Sequence, residues 1–228
     1  AAERLRTLFY LDRLQSLETH LAETRFTFIV GFHRSGTSLL ASGCDSLGYS
    51  IGSGKLMAAS YDNPKGYYEN RSLVSINERI LERLQSDWDD IFFSYGDQGE
   101  SVYSEFSSEI RDFLDREFLL HRHKNYVLKD PRILQTYKTW SEVITSMGYG
   151  SPDIIFIFRN PLECARSQKS RYEKTYVKEG APFHFFGADL RETLLLWYVS
   201  SMRFLCSLRG ERMIIVSYAK LIEDPKTT

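Results

Sequence analysis

Apolar residues recur along this chain in two rhythms, and the alternation between them outlines the fold. Leu5, Leu8, Leu11, Leu14, Leu17 and Leu21 fall at helical spacing with polar residues between them, which predicts a packing helix over residues 1–24. Phe26 to Val30 is instead a short continuous apolar run, as in a buried strand. It breaks at Gly31, and a helical pattern resumes from Thr37 to about Leu47. Three further runs read as strands: Tyr126–Lys129, Asp153–Phe158, which is the clearest, and Arg212–Val216. Leu73, Ile76, Ile80, Leu81 and Leu84 mark one helix, and Phe106, Ile110, Phe113 and Leu114 mark another. Pro131 opens a helix after the second strand. Helices over Leu162 to about Tyr172 and Leu190 to Leu208 follow the third. Gly48–Gly54, Asp62–Asn70, Trp88–Gly99 and Lys174–Gly187 read as loops.

Strands separated by helices call for parallel crossovers and a layered α/β sheet. The expectation is a P-loop-like three-layer fold, a central parallel sheet flanked by helices, forming a single domain over residues 1–228. In such a sheet the C-terminal strand ends share one edge, where ligands bind. Arg34, Lys129, Arg159 and Tyr218 each follow the end of a different strand, so all four are expected to face one crevice. Three cations at one edge point to an anionic ligand; the alternative is local pairing, as between Lys129 and Asp130.

The stretch after the first strand sharpens that reading. Strand, glycine loop and helix is the layout that aims free backbone N–H groups at a phosphate. Gly31 and Gly36 bracket four residues as the glycines of a P-loop do, and Ser38 stands where its Ser/Thr would be. Thr37 occupies the place of the P-loop lysine, while Arg34 brings a positive charge inside the loop. The loop is expected to hold a phosphate-like anion without the usual nucleotide-hydrolysis lysine.

Charge and composition limit the partners. A formal net charge of -1 argues against a surface that coats nucleic acid or another polyanion. Cys44, Cys164 and Cys206 have no paired spacing, which fits thiols in a reducing compartment and a cytoplasmic location. No apolar run approaches the ~20 residues of a membrane span. The chain starts at Ala1 without Met, which is compatible with a trimmed leader or anchor.

With these residues in view, the chain resembles the sulfotransferases that use 3′-phosphoadenosine 5′-phosphosulfate (PAPS), and is most similar to bacterial members and the tyrosylprotein type. Gly31-Phe-His-Arg-Ser-Gly-Thr-Ser38 matches the family's 5′-phosphosulfate loop. Arg159 and Ser167, eight residues on, match its 3′-phosphate site. The likeness extends to Asp62–Glu69, Leu128–Arg132 and Ser217–Pro225. It implies a metal-independent transfer of the sulfuryl group from PAPS to a hydroxyl or amine, with His33, Arg34, Ser35, Gly36, Thr37, Ser38, Arg159, Ser167 and Tyr218 holding the cofactor. By the same likeness Arg34 and Lys129 oppose each other across the reacting group, and Glu69 is the base, with His33 and His184 next in line. A helix-cap carboxylate is the plainer reading of Glu69. His121 and His123 read as the solvated end of a helix.

Two departures from the family pattern stand out. His33 replaces a proline common in the loop, and the chain stops soon after Pro225, where the family usually continues with a helix and a basic loop. The C-terminal part of the cofactor site is therefore expected to be incomplete. The aromatic segments Ile91–Tyr95 and Pro182–Phe186 either pack on the core or line an apolar pocket. In the second case they suit an aromatic or lipophilic alcohol as the small-molecule acceptor. A P-loop kinase is the competing class; it would need a lysine at Thr37 and a magnesium-holding aspartate at a strand end, for which Asp130 is the near candidate. A non-catalytic nucleotide-binding relic is the third.

Overall fold

The computed structural model describes residues 24–58, 66–117, 125–179 and 188–224. Four strands, β1 (Arg25–Val30), β2 (Asn125–Lys129), β3 (Asp153–Phe158) and β4 (Met213–Ser217), form one sheet in the order β2-β1-β3-β4. All of its pairings are parallel, with Arg25 opposite Asn125, Thr27 opposite Asp153 and Ile154 opposite Met213. The helices are α1 (Thr37–Ser46), α2 (Arg71–Arg83), α3 (Gly99–Glu117), α4 (Ile133–Ser146), α5 (Pro161–Glu179), α6 (Leu190–Ser207) and α7 (Tyr218–Glu223). This is the expected α/β architecture, a parallel sheet flanked by helices.

The alternation of side chains along β1 divides the core. Phe26, Phe28 and Val30 belong to the large cluster, with Leu73, Ile80, Ile110, Phe113, Trp140 and Phe204 from α2, α3, α4 and α6. Ile29 faces the other way, joining Val127 and, from α1, Ala41 and Cys44. Residues pointing to both faces are apolar because helices cover both, which is why β1 reads as a continuous run. Each fully buried side chain of this size contributes on the order of 1.5–3 kcal/mol.

The strand order also fixes where a ligand can enter. β1 has β2 on one side and β3 on the other, so crossovers leave it in opposite directions and a crevice opens beyond its C-terminal end. The Gly31–Gly36 turn lies at that point. Lys129 ends β2 on one flank, and Arg159 follows β3 on the other.

Some boundaries differ from the sequence expectation. α5 runs to Glu179, six residues into the stretch read as irregular from Lys174. The sequence 174–179 has no apolar stripe, so no hydrophobic period marks the extension. A short 3₁₀ turn (Gly96–Gln98) leads into α3 directly. Phe93 of the aromatic loop is buried, Tyr95 donates or accepts a hydrogen bond with Thr139 at 2.9 Å, and Phe92 is exposed. Ile91–Tyr95 thus packs largely on the core. The leucine stripe of residues 1–23, the Asp62–Lys65 turn, His121, His123 and the Pro182–Phe186 segment with His184 lie outside the described residues.

Candidate active site

The turn between β1 and α1 is held in a conformation that only certain residues allow. Arg34 has φ +66° and Gly36 φ +100°, both left-handed. Such alternation turns successive N–H groups toward one concave surface. No side chain caps the start of α1. A Cβ on Gly31 would lie 2.7 Å from both Ile157 Cγ2 and Ser35 Oγ. One on Gly36 would lie 2.3 Å from the Tyr218 ring. Both glycines are required sterically, Gly36 twice over. Thr37 is buried, and the buried Ser35 hydroxyl has no hydrogen-bond partner among the described residues. A buried polar atom left open beside an uncapped helix start and a glycine cradle fits an anion that donors would surround.

Two clusters of side chains flank this turn. At the β2 flank, Lys129 Nζ donates to Ser38 Oγ (3.2 Å), Tyr67 O (2.9 Å) and Glu69 Oε1 (2.5 Å). Ser38 Oγ in turn donates to Tyr67 O at 2.9 Å. The Lys129 and Glu69 side chains are only 2% and 11% exposed. Glu69 is fixed by its neighbours: its carbonyl accepts from Met57 N at 2.7 Å, and Asn70, the cap of α2, accepts from Ser72 N and Leu73 N. The cap of α2 is therefore Asn70, and Glu69 is a buried carboxylate beside a lysine, which removes the plainer reading. Burial raises its proton affinity above an ordinary carboxylate's; Lys129 opposes this and Asp130 adds to it.

A second layer locks this flank. Asp130, fully buried, accepts from Asn77 Nδ2 (2.9 Å), Arg132 N (3.0 Å) and Arg132 Nη1 (3.1 Å). Asn77 Oδ1 accepts from Thr136 Oγ1 (2.8 Å) and Trp140 Nε1 (2.7 Å). Lys129 thus pairs with Glu69, and the local Lys129–Asp130 pairing does not occur. Asn77 carried a signal in the sequence: it is a polar residue on the buried Leu73, Ile76 and Ile80 face of α2. The Tyr67 carbonyl carried none, being backbone.

At the β3 flank, Arg34 Nε donates to Ser167 Oγ at 3.1 Å, and Arg159 Nη1 donates to the Arg34 carbonyl at 2.9 Å. The Arg159 guanidinium stacks on Tyr218, 4.3 Å from the ring centre. Arg34 here joins the Ser167 and Arg159 cluster on the β3 flank, across the loop from Lys129 on the β2 flank. His33 lies between the flanks. Its ring is 4.5 Å from that of Trp88, and burial, followed by the fields of Arg132, Arg171, Lys129 and Arg34, lowers its pKa well below the usual histidine value. These causes favour its neutral form. Trp88 and Arg171 were missed by the sequence reading, because neither ends a strand.

All the sequence-predicted residues among the described ones therefore gather at one sheet edge, in two groups joined by the loop. No family model matches the chain, and no curated protein matches it.

Proposed function

We propose that the protein is a PAPS-dependent sulfotransferase. The observation that carries this reading is the loop's double attachment: Ser38 bonds the Lys129–Glu69 pair, while Arg34 bonds Ser167 beside Arg159. PAPS has two anionic ends, a 5′-phosphosulfate and a separate 3′-phosphate, and two cationic clusters separated by one loop match that demand. The chemistry PAPS supplies is a sulfuryl group on a phosphate leaving group. The loop N–H groups, Ser35, Thr37 and Ser38 bind the 5′ end, and Arg159, Ser167 and Tyr218 bind the 3′ end. Lys129 and Arg34 meet the charge that develops on the leaving phosphate as the S–O bond to it breaks. Glu69 takes the proton of the acceptor hydroxyl or amine as its lone pair forms the new bond to sulfur. The carboxylate and lysine are pre-positioned by Asn70, Asn77 and Asp130, so the fold supplies orientation rather than covalent chemistry.

The kinase alternative is less well supported. Asp130 lies next to a strand end, but it is fully buried and both of its oxygens accept hydrogen bonds from Asn77 and Arg132. Titration with adenosine 3′,5′-bisphosphate and with ATP–Mg²⁺ tests the reading. Bisphosphate is expected to bind with EDTA present, and adenosine 5′-monophosphate much more weakly. Equal affinity for the two nucleotides refutes a 3′-phosphate site.

A further inference from the structure

The Lys129 ammonium has three N–H bonds, and all three are engaged, by Ser38 Oγ, Tyr67 O and Glu69 Oε1. An anion arriving at the Ser38 end of the loop can receive a hydrogen bond from Lys129 only if one present acceptor gives it up. Two of the three are neutral. The third is a carboxylate, which an incoming anion repels. We propose that Lys129 is handed from Glu69 to the anionic ligand, so that filling the 5′ site unlatches Glu69 and turns a bridged carboxylate into a working base. This rests on the sulfotransferase reading and adds to it a coupling between cofactor binding and the base.

The surroundings dictate what Glu69 does once released. The charges that act on it are Lys129 at the end of β2, Asp130 just after it and Arg132 at the start of α4. Arg132 is committed, bonding Asp130 at 3.1 Å and Glu78 at 2.8 Å. Asp130 is a fixed like charge. A buried carboxylate that loses its counter-ion is relieved most readily by a proton. The released Glu69 therefore gains proton affinity while still a carboxylate able to take the acceptor's proton. With the bisphosphate product bound and no acceptor to supply one, a proton from solvent should occupy it in part, while Lys129 stays an ammonium with one N–H redirected to a ligand oxygen. The proton affinity of Glu69 rises toward neutral pH, where a general base works best. Before the cofactor arrives, the same carboxylate is held as the partner of Lys129.

Calorimetric titration with adenosine 3′,5′-bisphosphate, in two buffers of different ionisation enthalpy at pH 7, counts the protons exchanged. Wild type is expected to take up more protons per ligand than Glu69→Gln, by a fraction of a proton, as befits a base left partly ionised at this pH. The ligand's own phosphates titrate in both proteins and cancel in the comparison. Glu69→Gln should also bind about tenfold more tightly, because Lys129 is no longer contested, and the gain should vanish in a Lys129→Met background. Tightening of the same size with and without Lys129 would mean a simple field effect and overturns the proposal. So does equal proton uptake by wild type and Glu69→Gln, a comparison that does not depend on the Lys129 variant folding. Failure of wild type to bind bisphosphate at all overturns the sulfotransferase reading itself, and this inference with it.

Discussion

The two flanks of the loop solve the same problem, holding cations at a sheet edge, in opposite ways. At the β2 flank the positive charge is sunk: Lys129 is 2% exposed and matched by Glu69. At the β3 flank it lies nearer the surface. Arg159, 21% exposed, lies on Tyr218 and bonds Glu163, which is 53% exposed, an i,i+4 pair of the kind worth little. A matched buried pair must be broken or rearranged before it can act on a ligand, so its chemistry is tied to protonation. A guanidinium held by a ring, a backbone carbonyl and an exposed carboxylate can turn to a ligand more easily. The first arrangement suits a reacting centre and the second an anchoring one.

That contrast can be broken most sharply at Glu69. Glu69→Gln should bind bisphosphate at least as tightly as wild type and lose roughly 10²–10⁴-fold in turnover, measured by bisphosphate release from PAPS and an acceptor. Unchanged turnover would place the base elsewhere and leave the buried pair a structural one. Arg159→Ala should behave in the reverse sense, weakening bisphosphate by about 1.5–3 kcal/mol, roughly ten- to a hundredfold in Kd. Adenosine 5′-monophosphate binding should hardly change in that variant; a parallel loss would show that Arg159 does not read the 3′ end.

The turn that joins the flanks is open to a stability measurement. Gly36→Ala adds a Cβ at φ +100° against the Tyr218 ring and should cost about 1–3 kcal/mol in chemical unfolding. Adding Tyr218→Ala should recover the part due to the clash and not the part due to the backbone. Additive losses would mean the ring moves aside freely.

The smallest effect concerns His33. Its pKa is lowered in the fold, so the unfolded chain binds the proton more readily. The stability of the neutral form is complete above the unfolded value of about 6.5 and is lost as pH falls below it. The slope should approach at most about 1.4 kcal/mol per pH unit and should flatten in His33→Gln. Identical pH profiles of urea unfolding in the two proteins would remove His33 from the account.

The sequence made the sheet legible because β1, β2 and β3 are largely buried on both faces, and because Lys129 ends β2 and Arg159 follows β3. The loop was legible because its glycines are spaced for a turn. What escaped was pairing. Nothing along the chain told Lys129 to choose Glu69, sixty residues earlier, over the adjacent Asp130; that choice is made by Asn77 and Arg132 capturing Asp130 in three dimensions. The Arg34–Ser167 bond escaped as well, because it depends on how α5 lies against the loop. The length of α5 escaped for want of an apolar stripe.

The strand order has a consequence for how this molecule is made. β1 is made before the other three described strands and lies inside the sheet, yet Arg25 must wait for Asn125 and Thr27 for Asp153. At typical elongation rates, making the intervening ~100 residues takes on the order of 5–20 s. Throughout that time Phe26, Phe28, Ile29 and Val30 have no strand to pair with, so an apolar segment is available to other chains. The sheet closes through contacts distant in sequence, which places folding toward the slow end for a domain of this class. During expression, slower synthesis after β1 would prolong that interval, and lower temperature or added chaperone should raise the soluble yield more than it would for a local helical fold.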